Sequence, residues 1–233
     1  MTRLLTSLQA FGLIAFLPAW PAFSAEPGQA TERHESVRIP RLEVAPTLED
    51  FASMQPSSAV ARSMARVDEF RQERPRDGDP ASQRTEAYLG YDHSHLYIVF
   101  VCFDSEPEKI RARLSRREDL LRDDRIDVFL DTFNDQLRSY VFTVNPFGVQ
   151  ADANWVERDS NPYDPSFDTV WDSRGILTPD GYVVWMALPF KSLRFSPKET
   201  QEWGLLLSRT IPRANEASFW PYITTRIKGR LNE

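Results

Sequence analysis

From Thr85 onward the chain breaks into short apolar or alternating stretches separated by turn residues. That pattern admits little besides layered antiparallel β structure. Ala87, Leu89 and Tyr91 alternate with Glu86, Tyr88 and Gly90, and a turn at residues 92–94 leads into residues 96–103, apolar on both faces. The pair reads as a hairpin whose second strand is central and covered on both sides. Further strands are predicted at 126–133, 139–144, 149–155, 169–177, 182–188 and 203–211, with turns at 134–136, 145–148 and 179–181. Residues 157–165 hold two prolines among polar residues and are predicted to form a long exposed loop. The expected fold is all-β, an antiparallel β-sandwich, preceded by short helices.

Those helices are predicted between residues 41 and 70, where Thr47 and Asp50 have capping-box spacing and 58–64 suits a second short helix. Residues 72–84 read as a loop. Residues 106–117, with Ile110 and Leu114 four apart, suit a short surface helix.

The N-terminus has the order of an export signal. Arg3 precedes an apolar run over residues 4–20, and small residues follow at Ala22, Ser24 and Ala25. The expected division is a signal peptide at 1–25, a linker at 26–40, the sandwich at 41–221 and a tail at 222–233. Export implies the periplasm or an outer-membrane association. Cys102 is the only cysteine, so no intrachain disulfide forms, and its apolar setting suits a buried small hydrophobe. A net charge of −6 without a long basic block argues against nucleic acid as a partner.

The segment richest in possible chemistry is 123–131. On a strand, Ile126, Val128 and Leu130 face the core, while Asp127, Phe129 and Asp131 share the other face. Two carboxylates beside an aromatic suit a saccharide: carboxylates accept hydroxyl hydrogen bonds and an aromatic ring stacks on the sugar's CH face. Asp131 and Asp124 are equally candidate Ca²⁺ ligands, since that ion takes hard oxygens. An acidic strand face paired with nearby arginines such as Arg138 is the alternative, and Arg138 is itself a candidate sugar contact. Of the six tryptophans, Trp155 and Trp171 lie at strand ends near the long loop and are the candidate stacking platform. No nucleophile elbow, phosphate loop, dinucleotide fingerprint, zincin motif or cysteine cluster is present.

The stretches RTEAYLGYDHSHLYIVFVCFDSEP, SRRED, DDRIDVFLDTFNDQLRSYVFTVNPFGVQADANW, FDTVWDSRGILTPDGYVVWMALPFKSLRF and WGLLLSRTIPRANEASFWP run through the chain from Arg84 to Pro221. Together they resemble the carbohydrate-binding module family 9-like domain found at the N-terminus of large bacterial outer-membrane proteins. The resemblance implies a jelly-roll sandwich and a carbohydrate ligand. It implies that Asp127 contacts the sugar, and that two tryptophans clamp it in the sugar-binding members. The first of these falls near Leu121, where this chain has no aromatic; Trp185 stands where related modules usually carry Glu. In the longer relatives a membrane barrel follows, which implies an outer-membrane barrel as a partner. The expected function is therefore a non-catalytic saccharide-binding module. The alternatives are a periplasmic interaction domain of an outer-membrane system and, third, a glycoside hydrolase.

Overall fold

The structure is a computed structural model that describes residues 36–157, 159–226 and 231. The expected signal peptide lies outside them. In chain order the strands are β1 Ala65–Val67, β2 Arg71–Arg74, β3 Thr85–Tyr91, β4 His95–Phe103, β5 Arg125–Asp131 and β6 Arg138–Val144. They continue with β7 Gln150–Val156, β8 Tyr163–Asp164, β9 Asp172–Thr178, β10 Gly181–Pro189, β11 Gly204–Ile211 and β12 Glu216–Trp220. They form a five-stranded sheet, β1-β3-β4-β10-β9, and a seven-stranded sheet, β2-β12-β11-β5-β6-β7-β8. Every strand pairing is antiparallel. The expected β-sandwich is the observed architecture.

Strand alternation builds three apolar layers. The inner faces meet in the main core, where Leu89, Ile98, Phe100, Val184 and Met186 of one sheet pack against Ile126, Val128, Leu130, Phe142 and Leu207 of the other. The outer face of the five-stranded sheet is also apolar, which explains why β4 reads as hydrophobic throughout. It is covered by the N-terminal segment through Leu42, Leu48, Phe51, Met54 and Met64. Trp185 belongs to this layer and donates its indole N–H to the Pro46 carbonyl at 2.8 Å. The outer face of the seven-stranded sheet carries a smaller apolar cluster and a groove.

The predicted helices shrink to a 3₁₀ turn, Glu49–Phe51, and a helix α1, Ala59–Ser63. The Thr47–Asp50 pair acts as read, with Asp50 accepting from the Thr47 backbone N–H at 2.7 Å; α1 has a cap the sequence reading did not mark, the Ser58 hydroxyl accepting from the Ala61 N–H at 3.1 Å. The helix expected over 106–117 is absent beyond the 3₁₀ turn Pro107–Lys109. Buried Asp124 and Asp123 accept from the backbone N–H groups of Arg111 and Arg113, at 2.9 and 3.2 Å, which holds that segment extended. The region read as a loop after residue 72 contains part of β2, and the loop 157–165 contains β8. Val37 and Ile39 of the expected linker pack on the main core, and Ile223 of the expected tail is buried against the third cluster.

Turn chemistry fixes the register of the central hairpins. Gly181 has φ +144°, and a Cβ there would lie 2.0 Å from the Cys102 carbonyl oxygen, so no other residue fits the turn into β10. Between β3 and β4, the Asp92 carboxylate accepts from the N–H groups of Ser94 and His95 at 2.7 and 2.8 Å and from the Tyr97 hydroxyl at 2.9 Å. Burial acts to raise its pKa, but these bonds outweigh burial and bring it down to about 2. A lowered carboxylate pKa means stability that is full above the unfolded value near 4 and lost as the pH falls toward 2. Asp92→Ala is expected to cost about 1–2 kcal/mol at neutral pH and to flatten the acid limb of the stability profile, measured by urea unfolding from pH 6 to pH 2.5.

Candidate functional site

The outer face of the seven-stranded sheet is organised in rows that follow from the pairing register. In one row, Arg74 of β2, Ala217 of β12, Thr210 of β11 and Arg125 of β5 stand side by side. In the next are Phe219, Ser208, Asp127, Thr143 and Ala151; in a third, Leu206, Phe129, Val141 and Ala153. Charged, polar and apolar side chains are thus zoned along one surface. Above them opens a groove of about 210 Å³, bordered by Leu121 and by Trp155 and Tyr163 of β7 and β8.

Asp127 lies at the centre. Its Oδ1 accepts from the Thr143 hydroxyl at 2.7 Å and its Oδ2 from the Ser208 hydroxyl at 2.8 Å. Arg125 Nε stands 3.4 Å from Oδ1, an ion pair that balances the charge. A carboxylate has about four lone-pair positions, so Oδ2 retains capacity for a ligand hydroxyl. Arg125 is itself held by a bond from Nη1 to the Leu121 carbonyl at 2.7 Å. Phe129 and Trp155 meet edge to face, ring centroids 5.9 Å apart at 79°. The Trp155 indole N–H donates to Glu157 at 2.9 Å, which fixes the ring. Burial, reinforced by the charge of Asp127, pushes the Tyr163 phenol up, so it stays a protonated donor at neutral pH.

Three of the residues singled out from the sequence therefore converge: Asp127, Phe129 and Trp155. Trp171 does not join them. It is 4 % exposed, inside the main core, and meets Phe142 edge to face at 5.2 Å, because the chain entering β9 turns in between the sheets. Arg138 does not join them either. Val141 and Thr143 point to the groove, so Ser139 shares their face and Arg138 falls on the opposite one. Asp131 serves the β5–β6 turn, accepting from the N–H groups of Phe133 and Gln136 at 3.2 and 2.7 Å. Asp124 sits seven residues away at the other end of β5, about 23 Å along an extended strand, so the two cannot ligate one ion. Among the described residues no group of three or more His, Cys, Asp and Glu is placed to hold a metal ion. Leu121, half exposed, occupies the groove wall where the resemblance placed a tryptophan.

The groove also contains residues that the sequence did not mark: Arg74, Tyr163, Ser208 and Thr210. Their strands were partly read as loop or lie far along the chain, so only the pairing register brings them together.

Among solved structures, the chain is similar in fold to a carbohydrate binding module family 9 from Caldicellulosiruptor kristjanssonii in complex with cellotriose. The TM-score is 0.52, the identity 14 %, and the match covers 78 % of this chain and 83 % of that one. A structure of such a module from the same organism in complex with glucose gives 0.51 and 14 %, over 78 % and 84 %. A putative carbohydrate-binding protein from Bacteroides uniformis gives 0.58 at 10 % identity, over 77 % and 85 %. No curated protein sequence matches the chain. The family model described as carbohydrate family 9 binding domain-like matches residues 66–210, which cover β1 to nearly the end of β11 and most of the groove. The chain belongs to the carbohydrate family 9 binding domain-like family.

Proposed function

We propose that this protein is an exported, non-catalytic module that binds saccharide in the groove over Asp127, Phe129 and Trp155. The observation that carries the reading is their convergence on one open surface, with hydroxyl and phenol groups around a central carboxylate. Family membership supports it, as do the cellotriose and glucose held by the two similar modules. Hydrolysis needs a pair of carboxyl groups facing across a cleft. Among the described residues that line the groove, Asp127 is the one carboxyl group, which favours binding over catalysis. The charged, apolar and small residues at the N-terminus support export to the periplasm or outer membrane, which cell fractionation tests directly.

Titration calorimetry against neutral and acidic oligosaccharides tests the binding reading. Heat of binding is expected with at least one oligosaccharide, and Trp155→Ala is expected to weaken it about tenfold. A full glycan panel that produces no heat would overturn the proposal.

A further inference from the structure

The charged row at one end of the groove narrows the ligand class. Arg74 and Arg125 flank Ala217 and Thr210 on adjacent strands. Three strand spacings put the two arginine Cα atoms about 14 Å apart, with only small side chains between them. Two guanidinium groups thus wall a trough whose floor is low and open. The groove lining contains these two cations against one carboxylate, on a chain whose net charge is −6. With Arg125 paired to Asp127, Arg74 is the cation of this lining whose guanidinium is open to a ligand.

Asp127 balances Arg125, whereas the internal partner of Arg74 holds it only loosely. Asp127 already takes two hydroxyl hydrogen bonds and lies 3.4 Å from Arg125, whose Nε is buried without a hydrogen-bond partner. Arg74 is 46 % exposed, and its ion pair with Glu73 is stretched to 4.0 Å. A guanidinium presents a fork of N–H donors that matches a carboxylate in two parallel bonds. Phe129 meets Trp155 edge-on and is 7 % exposed, so this pair does not sandwich a neutral ring.

We infer that the groove selects a saccharide bearing carboxylate groups, a uronic-acid oligomer, with Arg74 as the principal carboxylate anchor and Arg125 as the second. This rests on the groove being the saccharide site. The polar row beside Asp127 then takes the hydroxyls of the same chain, and the apolar row with Trp155 takes a ring face.

The test is calorimetry of the whole protein with tetragalacturonate and with cellotetraose, with acetate as a competitor. Tetragalacturonate is expected to bind at least tenfold more tightly than cellotetraose. Raising the salt from about 50 to about 300 mM should weaken the acidic ligand severalfold, as screening of a partly exposed charge pair requires. Arg74→Gln should remove about tenfold of the acidic affinity and Arg74→Lys part of it, with melting temperatures confirming that both variants are folded. Acetate at the ligand's concentration should not displace the oligomer. Cellotetraose binding as tightly as the acid, or Arg74→Gln leaving the acid unaffected, overturns the inference while leaving saccharide binding intact. Displacement by acetate overturns it in favour of a bare anion site. Binding of neither oligosaccharide, nor of any other glycan, overturns both readings.

Discussion

Replacing Arg209 by methionine is expected to lower the melting temperature by about 10 °C, corresponding to a loss of about 3–5 kcal/mol. Arg209 is a charged side chain of β11 pointing into the core, with no exposure to solvent. Its Nη1 donates to the carbonyls of Phe103 and Arg84 and to the Thr85 hydroxyl, at 2.8, 3.2 and 3.1 Å. All three acceptors border the opposite sheet, so one guanidinium bolts the two layers together. Asp104 lies 3.5 Å from Nη2 and is shared with Arg213 at 2.6 Å. The Tyr182 ring, 5.2 Å away, adds a cation–π contact. Methionine fills a similar volume but strips three acceptors and leaves Asp104 with one cation. Stripping buried acceptors of their donor and a buried carboxylate of one of its two cations costs more than the net worth of the pair that balanced them. Arg213→Met, at a partly exposed site, should cost clearly less. Thermal unfolding followed by circular dichroism makes the comparison; equal losses for the two would contradict the bolt.

The second large effect is on ligand binding. Asp127→Ala is expected to reduce saccharide affinity by more than about thirtyfold, because it acts at three points at once. The ligand loses its central acceptor, the Thr143 and Ser208 hydroxyls lose theirs, and Arg125 loses the carboxylate beside it. Asp127→Asn keeps the shape and part of the accepting capacity, and is expected to retain the fold within about 1 kcal/mol while still losing most of the affinity. Affinity and urea unfolding measured on both variants separate the two contributions. A variant that unfolds normally yet binds as the parent does would remove Asp127 from the site.

The alternation along 126–131 was enough to place Asp127 and Phe129 on one face and Ile126, Val128 and Leu130 on the other, because a strand's period of two needs no knowledge of its neighbours. The central hairpin was legible for the same reason, and its turn is made by the Asp92 and Ser94 side chains visible in the sequence. Trp155 and Trp171 looked alike, each at a strand end beside polar residues. Which of them faces the groove depends on where the chain enters the sheet, and Trp171 fills the core instead. Arg74 was hidden in a charged stretch with prolines, and it becomes part of a site only because β2 pairs with β12, some 140 positions later in the chain. Tyr163 was hidden in a polar loop, where a two-residue strand leaves almost no pattern to read. The helix expected over 106–117 failed because buried aspartates competed for its backbone donors.

The central claim is that the groove on the seven-stranded sheet is the saccharide site, and an amide NMR titration with oligosaccharide tests it most directly. Shifts are expected to concentrate on Arg74, Arg125, Thr143, Trp155 and Ser208 and to leave Trp171 and the outer face of the five-stranded sheet unmoved. Shifts clustered instead around Arg62, Arg66 and Arg84, beside the five-stranded sheet, or none with any oligosaccharide, would contradict it.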